Sequence, residues 1–242
     1  MKDTKHRTAV KNVQTAEHQG FYPEVAAMRK IRLRYSKTDS AAYISHLDLM
    51  ATMQRALLRA GIRLSYSSGF NPHPYMSVAL PLSVGCASTC ELMDIGVLHD
   101  DIPDDLPAIV NTVLPAGIKI TGVYDPVRKF NDIAWVEING ILHYDNNIPV
   151  NAAKKLTELF SSKSIIIQKK SKRGVSELDI APHIRDIVFD ECDILSISAK
   201  LSAQNPTINP NDLLNAVNET MRPDHLSISR IEIYDRQMNV FK

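Results

Sequence analysis

The 242-residue chain is poor in the residues that usually advertise a chemistry. It has three cysteines, Cys86, Cys90 and Cys192. So few, in odd number, argue against a disulfide framework and fit a reducing cytoplasm. A zinc site on Cys86 and Cys90 would need histidines from elsewhere, so no metal site is expected. Nine glycines are scattered without a phosphate-cradling loop, and no nucleophile motif stands out. No apolar run approaches the roughly 20 residues a membrane helix requires, so no membrane contact is expected. Nor does one sign of charge dominate. Net charge is +1, with nine basic and nine acidic residues in 28–125 and fifteen of each in 126–242. Nucleic-acid binding would therefore need a local patch. What remains, 44% hydrophobic and 23% charged, is the composition of an ordinary globular protein with room for a core.

The most informative stretch is 43–85. Ser45 is placed to cap a helix, with Asp48 three residues later in a capping-box position. Leu47, Met50, Met53, Leu57 and Ala60 recur on one helical face, and Asp48, Thr52, Arg55 and Arg59 on another. Gly61 follows as a stop. An arginine pair such as Arg55 and Arg59 is usually only a solvated face; the sharper reading is anion binding. His46 falls at the first helical position, where an imidazole either packs in the capping turn or serves as a base or ligand.

Ser68-Gly69-Phe70-Asn71-Pro72-His73-Pro74-Tyr75 follows. Each proline fixes its own φ and restricts its predecessor, so the segment is stiffened before folding. It should present His73 and Tyr75 in fixed directions, with Gly69 supplying an angle that a side chain would forbid. The plainer reading is a rigid crossover covering a sheet edge.

Ser45-His46-Leu47-Asp48-Leu49-Met50, Arg55-Ala56-Leu57, Arg59-Ala60-Gly61, Tyr66-Ser67, Gly69-Phe70-Asn71-Pro72-His73-Pro74, Ala79-Leu80-Pro81-Leu82 and Val84-Gly85 together carry a resemblance. They look like the signature of the radical-SAM-associated bacterial family of unknown function, encoded beside or fused to radical SAM proteins. The resemblance extends from about Met28 to the C-terminus. It implies a radical SAM protein as partner, with S-adenosylmethionine and an iron–sulfur cluster on that partner. This chain lacks the three clustered thiolates such a cluster needs, so it is expected to bind no cofactor itself.

In chain order, 1–27 are polar and are expected to form a disordered tail, or to precede a true start at Met28. Residues 29–35 alternate Ile31, Leu33 and Tyr35 with Lys30, Arg32 and Arg34, a strand whose basic face is expected to be solvated or to flank a groove. Strands are expected at 63–67, 76–82 (weakened by Pro81), 91–98 and 118–124, with a helix over 101–114. A second series follows: strand 134–144, helix 150–160, strand 164–170, a strand or bent segment over 175–184, strand 194–201, helix 211–220 and strand 226–234. The fold expected is α+β: two tandem ferredoxin-like (βαββαβ) units, 28–125 and 126–242, with a Pro-rich insertion in the first. Lys169, Lys170, Lys172 and Arg173 form a basic turn in the second.

The function expected is that of a non-catalytic accessory module that binds and presents a substrate, RNA foremost, to the radical SAM partner. Arg55, Arg59, Lys170 and Arg173 would touch phosphates, and Tyr66, Phe70 and Tyr75 would offer stacking faces. Asp48, Gly69, Asn71, Pro72 and Pro74 would shape the same site. One alternative is a metal-independent endoribonuclease with His46 and His73 as acid and base, oriented by Asp48 or Tyr66. Another is a structural subunit of a radical SAM complex.

Overall fold

A computed structural model describes residues 28–98, 102–171, 174–218 and 221–242. The expected N-terminal tail and Arg173 lie outside the described residues, as does the side chain of Lys170.

The first half begins with β1 (Met28–Lys37), whose Ile31, Leu33 and Tyr35 are fully buried. Helix α1 (His46–Arg59) follows, capped as its sequence predicts. The Ser45 hydroxyl accepts from the Asp48 amide at 3.2 Å and donates to the Asp48 carboxylate at 2.7 Å. The helix buries Leu49, Met53, Ala56 and Leu57, and Gly61 at φ +81° lets the chain turn away. Then come β2 (Met76–Val78), β3 (Ala87–Leu98), α2 (Leu106–Asn111) and β4 (Ile118–Tyr124). The second half supplies β5 (Ile133–His143), α3 (Ala152–Phe160), β6 (Ile166–Ser171), β7 (Gly174–Asp179), β8 (Ile184–Glu191), β9 (Leu195–Ser202), α4 (Pro210–Leu214) and β10 (His225–Asp235).

Eight strands form one sheet in the order β4-β1-β3-β10-β5-β9-β8, with β2 also on β3; β6 and β7 form a separate hairpin. Every pairing is antiparallel except that of β3 with β10. The fold is therefore mixed α+β, a large, mostly antiparallel sheet with few helices. Two cores flank the seam. One gathers Ile31, Leu33, Met53, Leu57, Met93, Ile95 and Val110; the other gathers Val136, Ile138, Leu156, Phe160, Ile197, Leu201 and Ile228. Strand β3 serves both: Met93, Ile95 and Val97 belong to the first, Cys90 and Leu92 to the second.

Several expected elements are corrected. Residues 63–67 form no regular strand; isolated bridges, Leu64 to Val97 and Tyr66 to Pro74, and scattered backbone hydrogen bonds hold them. The expected strand over 76–82 stops at Val78, ahead of Pro81, which has no N–H to give a ladder. The helices expected over 101–114 and 211–220 shrink to α2 and α4. Residues 166–171 pair with 174–179 rather than with the main sheet, and the unforeseen β8 takes the edge instead.

The basic face of β1 is also corrected: Arg32 is only 1% exposed. Its guanidinium grips Asp94 at 2.6 and 2.9 Å and donates to the carbonyls of Arg128 and Lys242. It lies over Phe130 at 4.3 Å and near Phe241 at 5.4 Å. The 126–133 connector and the C-terminal segment thus cover this face. Arg34, less buried, pairs with Glu232 at 2.9 Å. Removing one partner of a buried, multiply bonded pair costs about 3–5 kcal/mol. Arg32→Ala is expected to lose about 3 kcal/mol in urea unfolding, and Arg34→Ala about 1 kcal/mol. Equal losses would place the two arginines in equivalent environments.

Candidate functional site

The stretch singled out in the sequence forms one surface. His46, Leu47 and Asp48 are exposed at the start of α1, and Arg55 and Arg59 on its outer face. The Asp48 carboxylate is engaged by Ser45, so its first role here is capping. After α1, Ile62 and Leu64 are buried, and the chain returns through 65–75 as a tied hairpin-like loop. Ser65 N–H donates to Gly96 O at 2.8 Å, Gly96 N–H to Tyr75 O at 2.7 Å, and Tyr75 N–H to Ser65 O at 2.9 Å. Ser67 N–H donates to His73 O at 2.8 Å, and His73 N–H to the Ser67 hydroxyl at 3.0 Å. The two prolines donate nothing, and their neighbours make these bonds instead.

Gly69, at φ +123°, turns the tip. Asn71, Pro72 and His73 are exposed beyond it, and Pro74 is half-buried at its bridge to Tyr66. Phe70 stands fully exposed at 112%, Tyr75 at 45% and Tyr66 at 42%. Gln54 of α1 reaches the Tyr66 hydroxyl at 3.4 Å and so links helix to loop. One supporting residue was missed in the sequence. At Gly96 a Cβ would lie 2.9 Å from Tyr75 Cβ and 3.0 Å from Met28 Sδ, so only glycine lets the loop sit this close to β3. Its signal was a lone glycine inside an apolar strand.

The surface brings the aromatic residues and the loop together. It does not join the two histidines: among the described residues no hydrogen bond, ion pair or ring contact links His46 to His73. Lys170 belongs by its backbone to β6, opposite Val175, on a different hairpin. Among the described residues no group of three or more His, Cys, Asp or Glu is placed to hold a metal, and no helix is long and apolar enough to cross a membrane.

A second cluster, absent from the sequence reading, lies buried beneath residues 80–86. A register shift between β1 and β3 sets Tyr35 opposite Glu91 and Lys37 opposite Ser88. From β10, Arg230 donates through Nη1 to Glu91 at 2.7 Å and to Leu80 O at 2.9 Å. Lys37 Nζ donates to Ala42 O at 3.0 Å, and Gly85 N–H donates to that same carbonyl. The Tyr35 hydroxyl is buried without a hydrogen-bond partner among the described residues. Burial, with Glu91 alongside, pushes the Tyr35 phenol well up, and burial lowers Lys37. Burial likewise raises the Cys86 thiol and pushes Cys90 up to about 12. The legible signal was parity: Lys37 continues the inward series of Ile31, Leu33 and Tyr35.

A large mixed sheet with this loop on its edge carries no signature of a single enzyme class. The chain belongs to a family of uncharacterized proteins conserved in bacteria (DUF2344), whose model matches residues 30–223. No curated protein matches the chain. Among solved structures, the acetolactate synthase small subunit from Thermotoga maritima aligns over 87% of this chain and 98% of its own, at 9% identity and a TM-score of 0.26. A likeness at that level carries no argument about function.

The thiolate is the reactive form, so raised thiols react slowly. Iodoacetamide at pH 8 is expected to modify exposed Cys192 first, half-buried Cys86 more slowly, and buried Cys90 only in denaturant. Peptide mass mapping over time checks the order; early loss of Cys90 would contradict its burial.

Proposed function

We propose that this chain is a non-catalytic accessory module of two tandem ferredoxin-like units that binds RNA and presents it to a radical SAM partner. The partner would carry S-adenosylmethionine and the iron–sulfur cluster. The tandem reading is supported by two matching strand orders, β4-β1-β3-β2 and β10-β5-β9-β8; the first is threaded strand, helix, strand, strand, helix, strand, and the second follows the same path with the β6–β7 hairpin inserted after α3. The RNA reading rests on one observation above all: Phe70, Tyr66 and Tyr75 are held out to solvent on a loop fastened to β3 by backbone hydrogen bonds. Such faces stack on bases at about 1–3 kcal/mol each, without ordering cost if already rigid. Arg55 and Arg59, exposed on the helix tied to Tyr66, would take the phosphates.

A protein interface is favoured by a different observation. Tyr43 (67% exposed), Leu47 (77%) and Val84 (61%) surround the start of α1, where Gly85 packs near the Tyr43 ring. We assign this patch to the partner protein. A nuclease reading, with His46 and His73 as acid and base, has no specific observation in its favour.

The test is filter binding of total cellular RNA at low salt, with the radical SAM partner present. A Tyr66→Ala/Phe70→Ala variant, exposed at both positions, is expected to melt as the wild type does and to bind RNA about 10–100-fold more weakly. The partner should still be captured. Wild type without detectable RNA binding would sink the RNA reading. Loss of the partner with RNA binding intact would make the loop a protein interface.

A further inference from the structure

A cavity of about 220 Å³ lies between the 80–83 loop of the first half and residues 203–210 of the second. Its walls are largely apolar, with Leu80, Ile138, Ile208 and Ile228 among them, and among the described residues Arg230 is the one charged residue lining it. A second hollow of about 280 Å³ continues it, sharing Ser83, Cys86, Asn209, Pro210 and Ile228. The result is an elongated groove, with Arg230 in its largely apolar chamber and Asn211, Asp224 and His225 lining the other.

Arg230 is 11% exposed, and both its hydrogen bonds, to Glu91 and to Leu80 O, leave from Nη1. Among the described residues, Nε and Nη2 have no hydrogen-bond partner. They form the side-on edge of the fork, the edge that takes a carboxylate in two parallel bonds. The Glu91 charge is also felt by Lys37, which is itself buried and, among the described residues, bonded only to Ala42 O. The Cys86 thiol, raised by burial, adds no charge. Lys37 and Arg230 therefore share Glu91 under this loop, Asp224 lies in the other hollow, and the unbonded edge of Arg230 is open to an anionic guest.

We propose that the groove is a binding site for a small amphipathic monocarboxylate. Its carboxylate lies on the Nε/Nη2 edge of Arg230, and its apolar body lies among Leu80, Ile208 and Ile228. This site is separate from the RNA surface and stands whether or not that reading does. Two observations carry it: an apolar cavity that a single guanidinium enters, and the unused edge of that guanidinium.

The test titrates the full chain calorimetrically with hexanoate, with 1-hexanol as the body without the charge and acetate as the charge without the body. Alkylation of Cys86, read against exposed Cys192 in the same sample, reports occupancy at the site. Arg230→Met would strand Glu91 and risk unfolding, so the blocking variant is Ser83→Phe, at an exposed position on the wall common to both hollows. Hexanoate is expected to bind about tenfold or more tightly than hexanol or acetate, the worth of a charge-assisted fork. It should slow Cys86 alkylation relative to Cys192, and both effects should be lost in Ser83→Phe. Absence of hexanoate binding, equal binding of hexanol, unchanged Cys86 alkylation, or undiminished binding by Ser83→Phe would each overturn the proposal.

Discussion

The two halves of this protein become one sheet through a very short seam. Strands β3 and β10 pair in parallel over only Ser229–Ala87 and Arg230–Ser88. Two backbone pairings cannot fix the relation of two cores, so side chains carry the rest. Arg230 crosses to Glu91 and Leu80, Arg34 crosses to Glu232, and Arg32 is sandwiched beneath the connector and the C-terminal segment. Buried ion pairs contribute little net stability against an apolar replacement, but a broken one is costly. That asymmetry suits a seam: it penalises wrong docking of the halves more than it rewards the right one.

The same seam decides which sheet faces remain available. In the first half, the face opposite α1 and α2 is closed over Arg32 by Phe130 and Phe241. In the second half, the corresponding face of β10-β5-β9-β8 stays open as a hollow of about 540 Å³. Its lining mixes Asn139, Ser196, Ser198, Ser227 and Ser229 with Ile141, Val188 and Ile197, and among the described residues it holds no aromatic ring for bases to stack on. Trp135, nearby, is 8% exposed and already lies under the Arg185 guanidinium at 4.0 Å. The exposed aromatics sit instead on the loop beside α1. A ferredoxin-like sheet that bound RNA across its open face would need them in the strands; here they lie on the loop.

What could be read from the sequence was local. Ser45, the spacing of Met53 and Leu57, and Gly61 fixed α1, because capping and periodicity act within a few residues. The stiffness of Pro72-His73-Pro74 and the turn at Gly69 were legible for the same reason. The rest depended on partners far along the chain. Arg32 alternates like a solvated residue, yet Asp94, 62 positions away, pulls it inside. Glu91 meets Arg230 across 139 positions. Strand β8 was invisible because an edge strand with exposed Asp186 and Val188 buries only one residue, Phe189, and has no clean alternation. The hairpin β6–β7 read as part of the main sheet because Ile165 and Ile167 are as apolar as any core strand; they are buried in the second core, but their hairpin pairs only with itself.

The position of the groove follows from the same competition at β3. Strand β2 holds that edge only at Ile95, Asp94 and Met93, and β10 holds it only at Ala87 and Ser88. Between them Pro81 prevents the chain from continuing the ladder, so after Ala79, whose N–H still donates to Leu92 O, residues 80–86 leave the edge and arch over it. An arch has no neighbour to fill the space beneath unless large side chains point inward. Those available, Leu80 and Cys86, contact the second core without closing the gap to Ile208. Arg230 emerges at that gap because it stands at the last paired position of the parallel seam. The cavity, the unbonded edge of Arg230 and the joint between the halves are thus one feature, produced by two strands sharing a single edge.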